Sequence, residues 1–326
     1  MGVSGLSAEE SVWVEGGRHA EFDVTGLGEN SLDLMFSVEQ FPVAGGKVDL
    51  IDLGSQPGGQ VATTVLGCAK LGLRTAYLGV VGEGPAAEAA LAPLRGAGVH
   101  LGEVIHRPGV PTRTATILVR PSDGERSVLV RRDPALDARP GEFSVETLSR
   151  SRLLHLDATD PELTLWAMRH AERAGVPVML DLDQVVPGLE KILERAQFPV
   201  VSGPLARAFG GEDRVEAGLE RMGASKACRL AVATCADDGA VALWQGARIQ
   251  VDAFPVEVAD STGAGDAFRA GLIWGLLRGQ SVEPMLRSAH AVGALSCQAV
   301  GAQAGLPDEI ALKAFLASHG SGPETD

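Results

Sequence analysis

A chain of 326 residues, 45 % of them hydrophobic, can bury a large core and fill one large or two smaller domains. Its formal net charge of −14 is the opposite of the clustered Lys and Arg that a nucleic-acid surface needs, so no nucleic acid is expected as a partner. Its longest apolar runs are far short of a membrane span, so no membrane is expected either. The opening MGVSGLSAEESVWVEGG has no basic region followed by an apolar stretch, which points to the cytoplasm, and Leu6 stands where myristoylation after Met1-Gly2 wants a hydroxyl residue.

In chain order, Phe22 to Gly28 is a short strand ending in glycine, Gly59 to Leu71 a helix of small residues, and Thr75 to Val81 a second strand. Arg152 to Leu156, Val176 to Leu182, Phe198 to Val201 and Leu230 to Thr234 read as buried strands, with helical segments such as Pro161 to Ala174 between them. Such alternation predicts an α/β fold: a mostly parallel central sheet sandwiched by helices, with ligands bound beyond the carboxyl ends of the strands. Two stretches break it. Leu34 to Leu53 and the pair Thr112 to Val119 and Arg126 to Val130, turned by Pro121-Ser122-Asp123-Gly124, read as exposed β-structure that closes over a ligand. The division expected is a large α/β domain of residues 1–33, 54–111 and 132–326 with a small β lid of 34–53 and 112–131. Cys68, Cys228, Cys235 and Cys297 lie in apolar stretches without metal-ligand spacing, as reduced core residues do. No spacing makes a metal site of His155, His290 and Cys297.

The most informative stretch is Asp260-Ser261-Thr262-Gly263-Ala264-Gly265-Asp266-Ala267-Phe268. Glycines at 263 and 265 let backbone N–H groups approach a ligand, and Ala267 to Arg278 reads as a helix whose N-terminus favours a phosphate. Asp266 in the first turn is placed to take a proton from a hydroxyl. The same residues also suit an ordinary turn and an Asp favoured by the helix dipole.

DSTGAGDAFRAGLI (Asp260 to Ile273) resembles the second signature of the ribokinase, or PfkB-type, carbohydrate kinase family at every constrained position. Gly58-Gly59 with the following helix and Leu71-Gly72 resembles the first signature, and Gly28-Glu29-Asn30-Ser31-Leu32-Asp33 the sugar-contacting turn after strand one. With the two β insertions and Gly301-Ala302 and Gly305-Leu306-Pro307 near the end, the resemblance covers nearly the whole chain. It implies a ribokinase-like fold with a small β lid, and transfer of the γ-phosphate of ATP, with Mg2+, to a sugar hydroxyl. On that resemblance Asp266 matches the catalytic base, and Gly263, Ala264 and Gly265 the anion hole. Asp33, with Asn30 beside it, matches the acid that holds sugar hydroxyls; Gly58, Gly59, Gln60, Thr63, Arg113 and Asp157 are the other substrate-binding candidates. Ser202, Thr234, Gly239, Gly265 and His290 are the nucleotide-binding ones. Asp260 and Thr262 match positions that surround a monovalent cation (K+) in some members; capping explains them equally well. No protein ligand to Mg2+ is assigned.

The departures matter as much. Thr63 stands where the first signature carries Asn, which leaves the sugar's identity open. Ser202-Gly203-Pro204-Leu205 lacks the Glu of the segment that organises Mg2+, and Thr234-Cys235-Ala236 keeps the Thr of a nucleotide loop without its first glycine. The usual Gly-x-Asp after strand three is Gly82-Glu83-Gly84. The reading that follows is a sugar kinase acting on a ketose or pentose; the alternatives are a nucleoside (adenosine-type) kinase of the same fold and a non-catalytic sugar-sensing pseudokinase. Exposed lid strands also predict a homodimer joined through the lid. Asp160 before Pro161 is expected to cap the next helix rather than bind sugar.

Overall fold

The structure, a computed structural model, describes residues 20–319, so the leader and Met1-Gly2 readings lie outside the described residues. The chain opens with β1 (Phe22–Leu27), β2 (Ser31–Ser37), β3 (Ile51–Gly58) and α1 (Gln60–Lys70). β4 (Thr75–Leu78), β5 (Val80–Glu83), α2 (Pro85–Gly96), β6 (Ile105–Pro111), β7 (Thr114–Val119) and β8 (Arg126–Arg131) follow. The second half runs α3 (Val145–Ser149), β9 (Ser151–Asp157), α4 (Pro161–Ala174), β10 (Val178–Leu182), α5 (Leu189–Leu193), β11 (Phe198–Ser202), α6 (Gly203–Gly210), α7 (Val215–Gly223) and β12 (Ala231–Thr234). β13 (Ala240–Trp244), β14 (Ala247–Val251), α8 (Ala264–Leu277), α9 (Val282–Ser296) and α10 (Glu309–Ser318) complete it.

The main sheet has the order β14-β13-β12-β11-β10-β9-β1-β4; every pairing from β12 to β4 is parallel, and β13 and β14 are added antiparallel. The parallel strands from β12 to β4 are buried on both faces, which is why they read as unbroken apolar runs. In β10, Val178, Leu180 and Leu182 pack with α4 to α7 on one face, while Met179 packs with α8 and α9 on the other. α1, α2 and α10 extend the second layer. Asp160 caps α4, accepting from the Glu162 and Leu163 amides at 3.0 Å each with Pro161 next in line.

Two elements differ from expectation. The strand expected over Thr75 to Val81 divides at Gly79: β4 joins the main sheet, while β5 pairs in parallel with β6. Gly79 allows the break because a Cβ there would collide with the buried Tyr77 hydroxyl, which donates to the Gly28 carbonyl at 2.8 Å. The β13–β14 hairpin turns through Gln245 and Gly246, both with positive φ (50° and 80°), the conformation that matches strand twist in a two-residue loop.

The separate small sheet has the order β3-β2-β7-β8, with β2 and β7 parallel. It is wider than the 34–53 segment expected, since β2 starts at Ser31 and β3 ends at Gly58. Met35, Ala115, Ile117 and Val119 bury one face; Leu34, Ile51, Val128, Leu129 and Val130 stay exposed. β2 follows β1 after only three residues, so the carboxyl end of a main-sheet strand leads straight into the small sheet.

Candidate active site

α8 starts at Ala264, three residues earlier than the sequence pattern suggests, so Gly265 and Asp266 are helical. Gly263 precedes it in the left-handed region (φ 77°), packed so closely on Ala302 that a Cβ would stand 2.7 Å from its Cα. The Ala264 amide donates to the Ser261 carbonyl at 3.2 Å and the Ala267 amide to Gly263 at 2.9 Å. The Gly265 and Asp266 amides between them have no backbone acceptor, which leaves them free for an anion. Beneath this turn the fully buried Asp260 accepts from the Thr262 amide (2.9 Å) and hydroxyl (2.7 Å) and from the Gly301 amide (2.8 Å). Its carboxylate thus locks the loop to the 301–302 turn, and three of its acceptor positions are spent within the protein. That is the geometry of a cap on the loop before α8.

Asp266 is half-buried, and burial pushes its carboxyl up to about 7. The Arg269 and Arg126 charges pull against that, and the Asp183 and Asp33 carboxylates add to it. Thr64 of α1 donates its hydroxyl to the Asp266 carbonyl at 3.2 Å, tying the first turn of α8 to the neighbouring helix.

Asp33 sits opposite, on β2, 5 % exposed, and burial raises it to about 6 against a 2.6 Å hydrogen bond from the Ser31 hydroxyl. Gly58 makes room for that carboxylate; Gly59 (φ 92°) starts α1 in contact with the Asn30 backbone. Asn30 is buried, its amide nitrogen donating to the Tyr77 hydroxyl (2.6 Å) and the Val80 carbonyl (3.2 Å) while its oxygen has no partner. Asp157, at the end of β9, accepts from the Glu29 amide at 2.8 Å and the Thr159 amide at 3.2 Å, and burial lifts it to about 6. Arg113 ion-pairs with Glu29 and is itself largely buried, which holds it down at about 10. Asn30, Arg113 and Asp157 line one pocket whose far wall is apolar: Leu136, Phe143 and Leu163. Gln60 donates to the Asp183 carboxylate at 3.2 Å. Thr63 is elsewhere: it is fully buried, and its hydroxyl accepts from Gln303 at 3.2 Å.

On the other side of α8, Ser202 and Thr234 end adjacent parallel strands in register. Ser202 caps α6 through the Leu205 amide at 3.3 Å, and Thr234 donates to the Val201 carbonyl at 3.4 Å. Gly239 (φ 84°) closes the turn between β12 and β13, where a Cβ would strike the Val251 carbonyl. His290 stands edge-on to Phe268, 5.0 Å between centroids, and burial lowers it to about 4, so it is neutral. Among the described residues no group of three or more His, Cys, Asp or Glu side chains is placed to hold a metal ion.

Several residues at the site went unread in the sequence. Arg126 of β8 donates to the Ser261 hydroxyl at 2.8 Å and the Ser261 carbonyl at 3.2 Å, while that hydroxyl donates to the Gly124 carbonyl at 3.1 Å. The small sheet therefore touches the loop that leads into α8. Arg269 was also missed, although it left a signal as a lone charge in an apolar helical run; its partner Asp181, and Asp183, stand at the end of a strand, where a polar site is expected, and Glu29 lies in the turn after strand one.

Residues 23–309 match the model of the pfkB family of carbohydrate kinases. The chain belongs to that family. It is 25 % identical over 313 residues to a nucleoside kinase of Methanothermobacter thermautotrophicus, covering 92 % of this chain and 98 % of that one. It is likewise 25 % identical over 285 residues to the ketohexokinase of Mus musculus, covering 84 % and 93 %. Among solved structures, Arabidopsis thaliana ribokinase complexed with ribose and ATP superposes with a TM-score of 0.79 at 23 % identity, over 90 % of this chain and 98 % of that one. The fold is therefore the ribokinase-like α/β fold of pfkB kinases, and the small sheet stands where the sequence led a lid to be expected.

Proposed function

We propose that this pfkB kinase transfers the γ-phosphate of ATP to a sugar hydroxyl in the cytoplasm, a ketose or pentose being the first choice of acceptor. The observation that carries the reading is the pairing of Asp266, raised to about 7, with two free helix-start amides in the same turn. Asp266 takes the hydroxyl proton as the acceptor oxygen bonds to phosphorus and the bond to the ADP oxygen breaks. The turn of Gly263, Ala264 and Gly265 presents the free Gly265 and Asp266 amides, which hold the charge spread over the transferred group. Asp33, with Asn30, Gly58, Gly59, Gln60, Arg113 and Asp157 around it, orients the acceptor; Ser202, Thr234, Gly239 and His290 form the nucleotide side. Mg2+ enters with ATP on its phosphates, since the described residues present no carboxylate cluster for it. Potassium is not required by this reading, because Asp260 and Thr262 serve each other and Gly301.

A nucleoside acceptor is the second reading. The apolar wall of Leu136, Phe143 and Leu163 lies next to Asn30 and Asp157, where a base could pack beside a ribose, and the Methanothermobacter relative is a nucleoside kinase. ADP release from Mg-ATP against a panel of ketoses, pentoses and nucleosides separates the readings. A sugar turning over fastest supports the first and a nucleoside the second; ligand binding without turnover above background would turn the reading to a sensor. The exposed Val128, Leu129 and Val130 on the edge strand β8, with exposed Leu34 on β2 and Ile51 on the opposite edge strand β3, support a homodimer through the lid. Sedimentation giving a monomer at micromolar concentration would remove that part.

A further inference from the structure

α8 is buried from Ala267 to Leu277, and one residue in that run is charged. Arg269 is 4 % exposed, and a guanidinium stays protonated in a protein. Its partner is Asp181 of β10, whose carboxylate lies 2.5 Å from Nη2; the same nitrogen donates to the Val200 carbonyl of β11 at 3.4 Å. Those contacts pin one arm of the guanidinium. The other arm, Nη1, stands 2.8 Å from where a Cβ on Gly265 would lie. The side chain thus runs back toward the start of its own helix, the direction helical side chains take, and ends under the anion-hole backbone. Gly265 does not have positive φ, so what demands glycine there is the guanidinium and not the backbone conformation.

A buried ion pair is a weak source of stability, because desolvating two charges offsets most of their attraction. An aliphatic pair would suit this apolar helix as well. What the ion pair adds is a positive charge held in a water-free place, where its field acts strongly at short range. His155 of β9 supplies no charge of its own: it is fully buried, and burial and the Arg269 charge hold it neutral at about 3 against a backbone hydrogen bond with Met179. Asp266 is faced by Arg269 on its own helix, by Arg126 from β8, by Asp181 on β10 and Asp183 after it, and by Asp33 on β2. Of the two cations only Arg269 is buried.

We propose that Arg269 is a positioning residue of the transfer site: pinned by Asp181, it braces the Gly265 backbone and sets a fixed positive charge beneath the anion hole and beside Asp266. The proposal rests on the functional reading above, with Asp266 as base. Its test compares the parent with Arg269→Met, Arg269→Lys and the double change Asp181→Asn with Arg269→Met, which leaves no unpaired buried charge. In the double variant kcat is expected to fall about tenfold or more, with the acceptor KM changed less than about threefold. The acid limb of kcat/KM is expected to move up by roughly half to one pH unit, and Arg269→Lys to recover part of both effects. A double variant with the parent's kcat and pH profile overturns the proposal, since a purely structural pair would be fully replaced.

Gly265→Ala, which keeps both charges and displaces the guanidinium, should lower kcat in the same way and decides the matter if the double variant does not fold. The Asp266 titration itself, followed by NMR of carboxyl-labelled protein and assigned with Asp266→Asn, needs no turnover. With Asp181→Asn removing one carboxylate as well, an upward shift in the Arg269→Met, Asp181→Asn protein reports the guanidinium's field alone in excess of that loss and supports the proposal, and no shift overturns it. Full turnover by Asp266→Asn would instead overturn the functional reading, whatever Arg269 does.

Discussion

The Asp33 carboxylate of β2 occupies the space in which Gly58, the last residue of β3, would carry a Cβ, so two paired strands of the small sheet fit each other through an absent side chain. Gly58→Ala should push Asp33 out of line without disturbing α8. The expected result is an acceptor KM raised about ten- to a hundredfold, the scale of one hydrogen bond to a charged group, with the ATP KM nearly unchanged. Steady-state kinetics with each substrate varied in turn checks this.

Asp266→Asn should lower kcat by about two to four orders of magnitude, because the amide cannot accept the proton, while ATP binding by calorimetry stays close to the parent's. In the parent, the active form of Asp266 is ionised. With its carboxyl raised to about 7, kcat/KM should reach half its plateau near neutral pH and fall about tenfold per unit below that. Stability runs the other way. A carboxyl raised on folding holds its proton more tightly in the native state, so its ionisation weakens the fold as pH rises from the unfolded value, near 4, through about 7. Asp266→Asn should therefore melt higher than the parent at pH 8 and not at pH 4, as calorimetry can show.

What was legible in the sequence was whatever one local physical rule sets. The buried parallel strands show as apolar runs because both of their faces are covered, and α4 shows from Asp160-Pro161 to the left-handed Gly175 because capping is local. The turn around Gly263 shows because a left-handed backbone packed against Ala302 needs glycine. Contacts between distant segments left little trace. Arg126 reaching Ser261 joins residues far apart in the chain, and nothing in either segment alone announces it. Thr63 is a substrate-binding candidate by its place in the first signature; its hydroxyl accepts from Gln303, some 240 residues away, a contact that the motif does not reveal. The division at Gly79 depends on Tyr77 reaching Gly28, another long-range contact.

Arg126 and Ser261 form a latch between the small sheet and the loop before α8. Because Arg126 is exposed, the bond is screened by water and worth little by itself, yet it ties the small sheet to the loop that leads into α8, and on the proposed reading that contact closes the lid over the transfer site. Arg126→Ala should raise the acceptor KM several-fold. It should also increase the share of ATP hydrolysed without acceptor, measured as ADP formed per product formed.

The Asp181–Arg269 pair makes a stability prediction whose pH dependence identifies its cause. Arg269→Met strips a buried carboxylate of its partner, and such losses cost about 3–5 kcal/mol. Burial already raises Asp181 well above its ordinary range, with the Asp266, Asp183 and Asp157 charges adding to that, and Arg269 is the charge that opposes it. Without the guanidinium, Asp181 escapes the penalty of a buried charge by keeping its proton. That escape is nearly free at acid pH and costs more with each unit of alkalinity, because the unfolded chain ionises Asp181 readily. The loss in denaturant unfolding should therefore be larger at pH 8 than at pH 5, and adding Asp181→Asn should recover most of it at pH 8. A loss of equal size at both pH values would mean that Arg269 stabilises through packing of its stem, and that the ion pair contributes nothing the aliphatic chain does not.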